Sequence, residues 1–140
     1  MNLQGKKVLV FGSGKSGIGA AELLTAKGAY PVIYDGNKDL DKEAVLKKLP
    51  NCEGVSIYAG ELPEEVRKTL DLVVLSPGVP TDIPMVKGFY EQGLPVWGEV
   101  ELAYRTGKGR VFAITGTNGK TTTTSLVGEI FADYTKNSFT

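Results

Sequence analysis

The sequence predicts an α/β protein: a five-stranded parallel sheet with helices on both faces, followed by the start of a second unit. Three observations predict it. Short continuous apolar runs recur at Lys7 to Phe11, Pro31 to Tyr34, Val55 to Tyr58, Asp71 to Ser76 and Leu94 to Trp97, with helical patterns between them. Runs of that length suit parallel strands buried on both faces. The first run ends in a glycine turn, Gly12-Ser13-Gly14-Lys15-Ser16-Gly17, that leads into a helix. Near residue 110 the alternation restarts as strand, glycine loop and helix.

The first helix places Ile18, Ala21, Leu24 and Thr25 on one face and closes at Gly28. The second strand then ends in Asp35. Strand, GxGxxG, helix, strand and an acid about 20 residues on form the dinucleotide-binding fingerprint of a Rossmann-like fold. A tight turn without a ligand would use the same glycines. Asp39 to Leu49 reads as a helix ended by Pro50, and Pro63 to Leu70 as a helix that starts on its proline. The fourth strand ends in Pro77-Gly78-Val79-Pro80, too rigid to continue as strand or helix. Helices are expected over Asp82 to Glu91 and from Gly98 to near Gly107. In a parallel sheet ligands sit at the carboxyl ends of the strands. The loops Gly12–Gly17, Asp35–Asn37 and Ser76–Pro80 all fall there and are expected to line one site.

Composition narrows the function. Sixteen Lys and Arg balance 16 Asp and Glu, which argues against nucleic-acid or membrane-surface binding. A hydrophobic content of 41% with 18 glycines suits an α/β protein with many tight turns. No apolar run approaches the roughly 18 residues of a membrane span. Residues 1–12 run straight into a strand with no signal-peptide pattern, so a cytoplasmic location is expected. The single cysteine, Cys52, excludes an internal disulfide and is read as an inert loop thiol. The absence of histidine argues against a zinc site or a histidine-based triad.

The second glycine loop lies within Arg110 to Ser125. Val111, Phe112, Ala113 and Ile114 form a strand-like run. Gly116-Thr117-Asn118-Gly119, Lys120 and Thr121 to Thr124 follow, and then a helical pattern of Leu126, Val127, Ile130 and Phe131. This order suits a nucleoside triphosphate: loop N–H groups meet phosphate oxygens, lysine neutralises the outer phosphates, and the next threonine hydroxyl ligates Mg²⁺. The general phosphate-loop pattern has a glycine where Ile114 stands, so this is a compact variant. A glycine-rich turn capped by threonine is the plain alternative. Two domains follow: residues 1–107, and residues 108–140 as the start of a second domain, hinged at Gly107-Lys108-Gly109.

The pair of glycine loops resembles the Mur ligases of bacterial cell-wall synthesis. The resemblance rests on KVLVFGSGKSG at 7–17, LSPGVP at 75–80, GEVELAYR at 98–105 and AITGTNGKTTTT at 113–124, and covers residues 6–132. It points to the branch that adds D-glutamate. It implies that residues 1–107 bind a UDP substrate, UDP-N-acetylmuramoyl-L-alanine. Gly14, Lys15, Ser16 and Gly17 would meet the diphosphate, and Asp35, Gly36 and Asn37 the uridine. Ser76, Pro77 and Gly78 would line the same pocket. Gly116, Thr117, Asn118, Gly119, Lys120, Thr121, Thr122 and Thr123 would hold ATP, with Lys120 as the catalytic cation and Thr121 or Thr122 on Mg²⁺. The implied reaction runs through an acyl phosphate attacked by D-glutamate. The rest of the machinery would lie downstream, leaving this chain inactive alone. An unpaired strand at 111–116 would then favour self-association. Glu99 and Glu101 read as helix N-terminal acids. Two other functions remain open: a nicotinamide-dependent oxidoreductase fragment, and a nucleotide-sensing domain without chemistry.

Overall fold

The computed structural model describes residues 2–49, 51 and 54–137. The chain divides into two compact units, Met1–Gly107 and Lys108–Thr140. The first unit alternates strand and helix throughout: β1 (Lys7–Phe11), α1 (Lys15–Ala26), β2 (Tyr30–Asp35), α2 (Lys42–Leu46), β3 (Ser56–Ala59), α3 (Glu64–Arg67), β4 (Leu72–Leu75), α4 (Pro84–Glu91), β5 (Val96–Gly98) and α5 (Glu99–Thr106). The five strands form one parallel sheet in the order β3-β2-β1-β4-β5.

The continuous apolar runs are explained by two-sided burial. Along β1, Val8 and Val10 join Ile33, Leu72 and Val74 beneath Ala20, Ala21 and Leu24 of α1 and Leu102 of α5. The intervening Leu9 and Phe11 join Val32, Val73 and Leu75 beneath Val86 and Phe89 of α4. Val8, Leu9 and Val10 have no exposed surface, and each such side chain stabilises the fold by about 1.5–3 kcal/mol relative to exposure. Helices thus cover both faces, as the sequence predicts.

Boundaries differ where local hydrogen bonding intervenes. The helix expected over Asp39 to Leu49 is only Lys42–Leu46. Its start is fixed by Asp41, whose Oδ1 accepts from Ala44 N–H at 3.0 Å. Pro50, expected to end it, and Cys52 lie outside the described residues. The fifth strand starts at Val96 rather than Leu94, because Leu94 N–H donates to Phe89 O at 3.0 Å beside Gly93 at φ +70°. Leu94 thereby closes α4 in a Schellman turn. Gly28, at φ +74°, ends α1 in the same way, with Ala29 N–H donating to Leu24 O.

In the second unit the expected strand at 111–116 does not form: residues 108–119 are irregular up to α6 (Lys120–Asn137). A strand is held by hydrogen bonds to a neighbour, and among the described residues of this unit no second extended segment offers them. Val111 and Phe112 stay 63% and 64% exposed. Phe112 packs instead on Phe131 of α6, with ring centroids 5.5 Å apart.

Candidate functional site

The strand order sets the site. From the central pair β1 and β4, the chain leaves to α1 on one face and α4 on the other. Such a switch in direction opens a crevice at the carboxyl ends of the strands. Gly12 begins the loop after β1, with its N–H donating to Tyr34 O at 2.8 Å. Its φ of +117° and the space around it both demand glycine, since a Cβ here would lie 2.8 Å from Ser76 Oγ. A Cβ at Gly17 would fall on the carbonyl oxygen of Gly12 and 3.4 Å from Ser76 Oγ. Gly12, Gly17 and Ser76 therefore form one closely packed joint between the first and fourth loops. Gly14 is the N-cap of α1 and has no side chain with which to cap it, so the first-turn N–H groups remain for an outside acceptor. Lys15 and Ser16 beside them are exposed.

The loop after β2 is tied to the loop after β1 by Asp35. Its Oδ2 accepts from Ser13 Oγ at 2.5 Å and Ser13 N–H at 3.1 Å, and its Oδ1 accepts from Asn37 N–H at 3.0 Å. Burial pushes this carboxyl up, but the bonds from the Ser13 hydroxyl, Asn37 N–H and Ser13 N–H together outweigh it and hold it below its ordinary value. Gly36 and Asn37 are exposed at the rim.

The loop after β4 turns at Ser76-Pro77-Gly78-Val79, with Val79 N–H donating to Ser76 O at 2.9 Å. Ser76 Oγ donates to Glu99 Oε1 at 2.7 Å, joining this loop to the first turn of α5. Glu101 pairs instead with Arg105, 2.8 Å away, and the Arg105 guanidinium lies 4.8 Å from the Trp97 ring centroid. A cleft of about 220 Å³ opens beside Ser76, lined also by Thr81, Tyr90 and Trp97.

In the second unit, the loop Gly116–Gly119 bends through φ +151° at Gly116 and +78° at Gly119 before α6. Lys120 Nζ donates to Gly116 O at 2.5 Å, so the lysine folds over its own loop. Thr123 N–H donates to Gly119 O, and Thr124 Oγ1 donates to Lys120 O. Thr121 and Thr122 are exposed in the first turn.

The structure thus gathers Gly14, Lys15, Ser16, Gly17, Asp35, Gly36, Asn37, Ser76, Pro77 and Gly78 at one end of the first sheet, and Gly116 to Thr123 in the second unit. Sequence reasoning missed Ser13, a variable position of the GxGxxG pattern, because nothing local marks its bond to Asp35. It read Glu99 only as a helix N-terminal acid, because its partner Ser76 lies on another loop. The cleft residues Thr81, Tyr90 and Trp97 carried no motif.

Comparison with known proteins identifies the family. The profile of the family described as "Mur ligase MurD-like, N-terminal domain" matches residues 6–98. The chain is 55% identical over 139 residues to the UDP-N-acetylmuramoylalanine--D-glutamate ligase of Lachnoclostridium phytofermentans, and 51% identical over 139 residues to the enzyme of that name from Lachnospira eligens. Each alignment covers 99% of this chain and 31% of the relative, so the chain spans under a third of their length. A pseudomurein peptide ligase type C from Methanothermus fervidus superposes with a TM-score of 0.58 at 27% identity, covering 84% of this chain and 24% of that one. The family resemblance read from the glycine loops is borne out: this chain belongs to the MurD-like Mur ligases, and residues 6–98 match their N-terminal domain.

Proposed function

We propose that this chain carries the UDP-substrate site and the ATP loop of a ligase that joins D-glutamate to UDP-N-acetylmuramoyl-L-alanine. The observation that carries this reading is the joint of Gly12, Gly17 and Ser76, with Asp35 tied to Ser13, beside the uncapped start of α1. The names of the relatives supply the substrate class. The N–H groups of Lys15, Ser16 and Gly17, with the Ser16 hydroxyl, hold the diphosphate at the positive end of the helix dipole. The Lys15 ammonium adds charge at the rim. Asp35, Gly36 and Asn37 meet the uridine, and Ser76, Pro77 and Gly78 close the far wall.

The second loop has the donor set that a nucleoside triphosphate with Mg²⁺ requires: turn amides at Gly116 to Gly119, the Lys120 ammonium within reach of them, and exposed Thr121 and Thr122 hydroxyls. Bound ATP with Mg²⁺ supplies the phosphoryl group that activates the substrate carboxylate for attack by D-glutamate. Lys120 offsets phosphate charge, Gly116, Thr117, Asn118, Gly119 and Thr123 shape the cradle, and Thr121 or Thr122 ligates the metal. The whole protein works in the cytoplasm, and residues 1–140 alone do not complete the ligase.

Calorimetric titration of this chain with UDP and with NADH tests the first site. Saturable UDP binding, with measurable but far weaker binding of NADH, is expected. Heat from NADH without heat from UDP would refute the assignment and favour an oxidoreductase.

A further inference from the structure

We infer that Ser13 sets the ligand preference of the first site, by occupying the carboxylate edge that a ribose diol would need; this rests on the uridine reading above. A carboxylate has about four lone-pair positions for donors. Three are filled from within the chain: Ser13 Oγ and Ser13 N–H on Oδ2, and Asn37 N–H on Oδ1. One remains, on Oδ1. The acid at this place in a nicotinamide-binding site takes the ribose hydroxyls. A vicinal diol presents two donors, ideally one to each oxygen, and Asp35 has a single position left. That position fits one donor, which in the uridine reading is the uracil N–H and not the uridine ribose, whose own diol would meet the same obstacle. The Ser13 hydroxyl is what closes Oδ2, since its backbone N–H fills only half of that oxygen's capacity. The same bond at 2.5 Å also orients the carboxylate, so Ser13 is a positioning residue rather than a ligand contact.

The test is the ratio of UDP to NADH affinity, by calorimetry, in the unaltered chain, Ser13→Ala and Ser13→Thr. Ser13→Ala opens one position on Oδ2 beside the one on Oδ1. The ratio is expected to fall about tenfold, the size of one charge-assisted hydrogen bond exchanged between ligands. Ser13→Thr keeps hydroxyl and N–H and should restore the original ratio. A merely structural role for Ser13 would weaken both ligands together and leave the ratio alone. A ratio unchanged within twofold in Ser13→Ala, or shifted equally in Ser13→Thr, would overturn the assignment. If no form binds UDP, the uridine reading falls and NADH alone decides: a gain in Ser13→Ala supports the role of Ser13, and no gain overturns it.

Discussion

Replacing Gly17 by alanine sets a methyl group against the carbonyl of Gly12, whose carbon would lie 2.9 Å from the new Cβ. The obstacle is backbone, and it is not free to move. Gly12 N–H is bonded to Tyr34 O at 2.8 Å, and the next residue, Ser13, is bonded to Asp35. The third neighbour, Ser76 Oγ at 3.4 Å, is held by Glu99. Relief therefore requires α1 to shift away from β1, thinning the contacts of Ala20, Ala21 and Leu24 with the sheet. Overpacking costs about 1–3 kcal/mol, and a rigid backbone obstacle places this case at the upper end. About 3 kcal/mol lowers the melting temperature by about 12–24 °C for a unit of this size. Gly78→Ala is the control, since nothing lies within 4 Å of a Cβ there and its φ is not positive. Its cost should stay within about 0.5 kcal/mol. Thermal unfolding followed by circular dichroism compares the two. Equal melting temperatures would refute the close-packed joint between the first and fourth loops.

Asp35→Ala should weaken UDP binding by about 1–3 kcal/mol, since it removes a ligand partner and releases Ser13; calorimetry showing equal affinity would contradict the role of Asp35. Asp71 is held below the ordinary 3.8 by the Lys6 ammonium at 2.8 Å and by Lys7 N–H. Its contribution is therefore complete above the unfolded value and disappears as the pH falls through the lower folded value. Urea unfolding at stepped pH should show a slightly shallower acid loss in Asp71→Asn, small because the pair is partly exposed; an identical acid limb would count against it. In the whole protein, Lys120→Ala should abolish ligation while UDP affinity is unchanged, and normal turnover would sink the phosphate-loop reading. Light scattering should show this chain associating more than a version ending at Gly107, because Val111, Phe112, Ile130 and Phe131 are exposed; equal monomers would remove the case for self-association through residues 111–116.

The sequence by itself determined the fold class and one end of the sheet as the place to look. Apolar continuity over residues 7–11 and 72–75 reports two-sided burial, which only an interior parallel strand satisfies. The spacing of Gly12, Gly14 and Gly17 reports a strand turning sharply into a helix, and this signal is local in the chain. The resemblance carried by the two glycine loops was likewise legible, because those motifs are short and contiguous. Tertiary structure alone decided the hydrogen-bond partners. Ser13 meets Asp35 across 22 residues, and Ser76 meets Glu99 across 23. Neither bond leaves a periodic trace, because a side chain's partner depends on where the sheet brings two loops. The same reason governs the misplaced strand at residues 111–114. Strand propensity there is genuine, but a strand exists only through a neighbour's hydrogen bonds. Among the described residues of that unit, packing of Phe112 on Phe131 prevails instead.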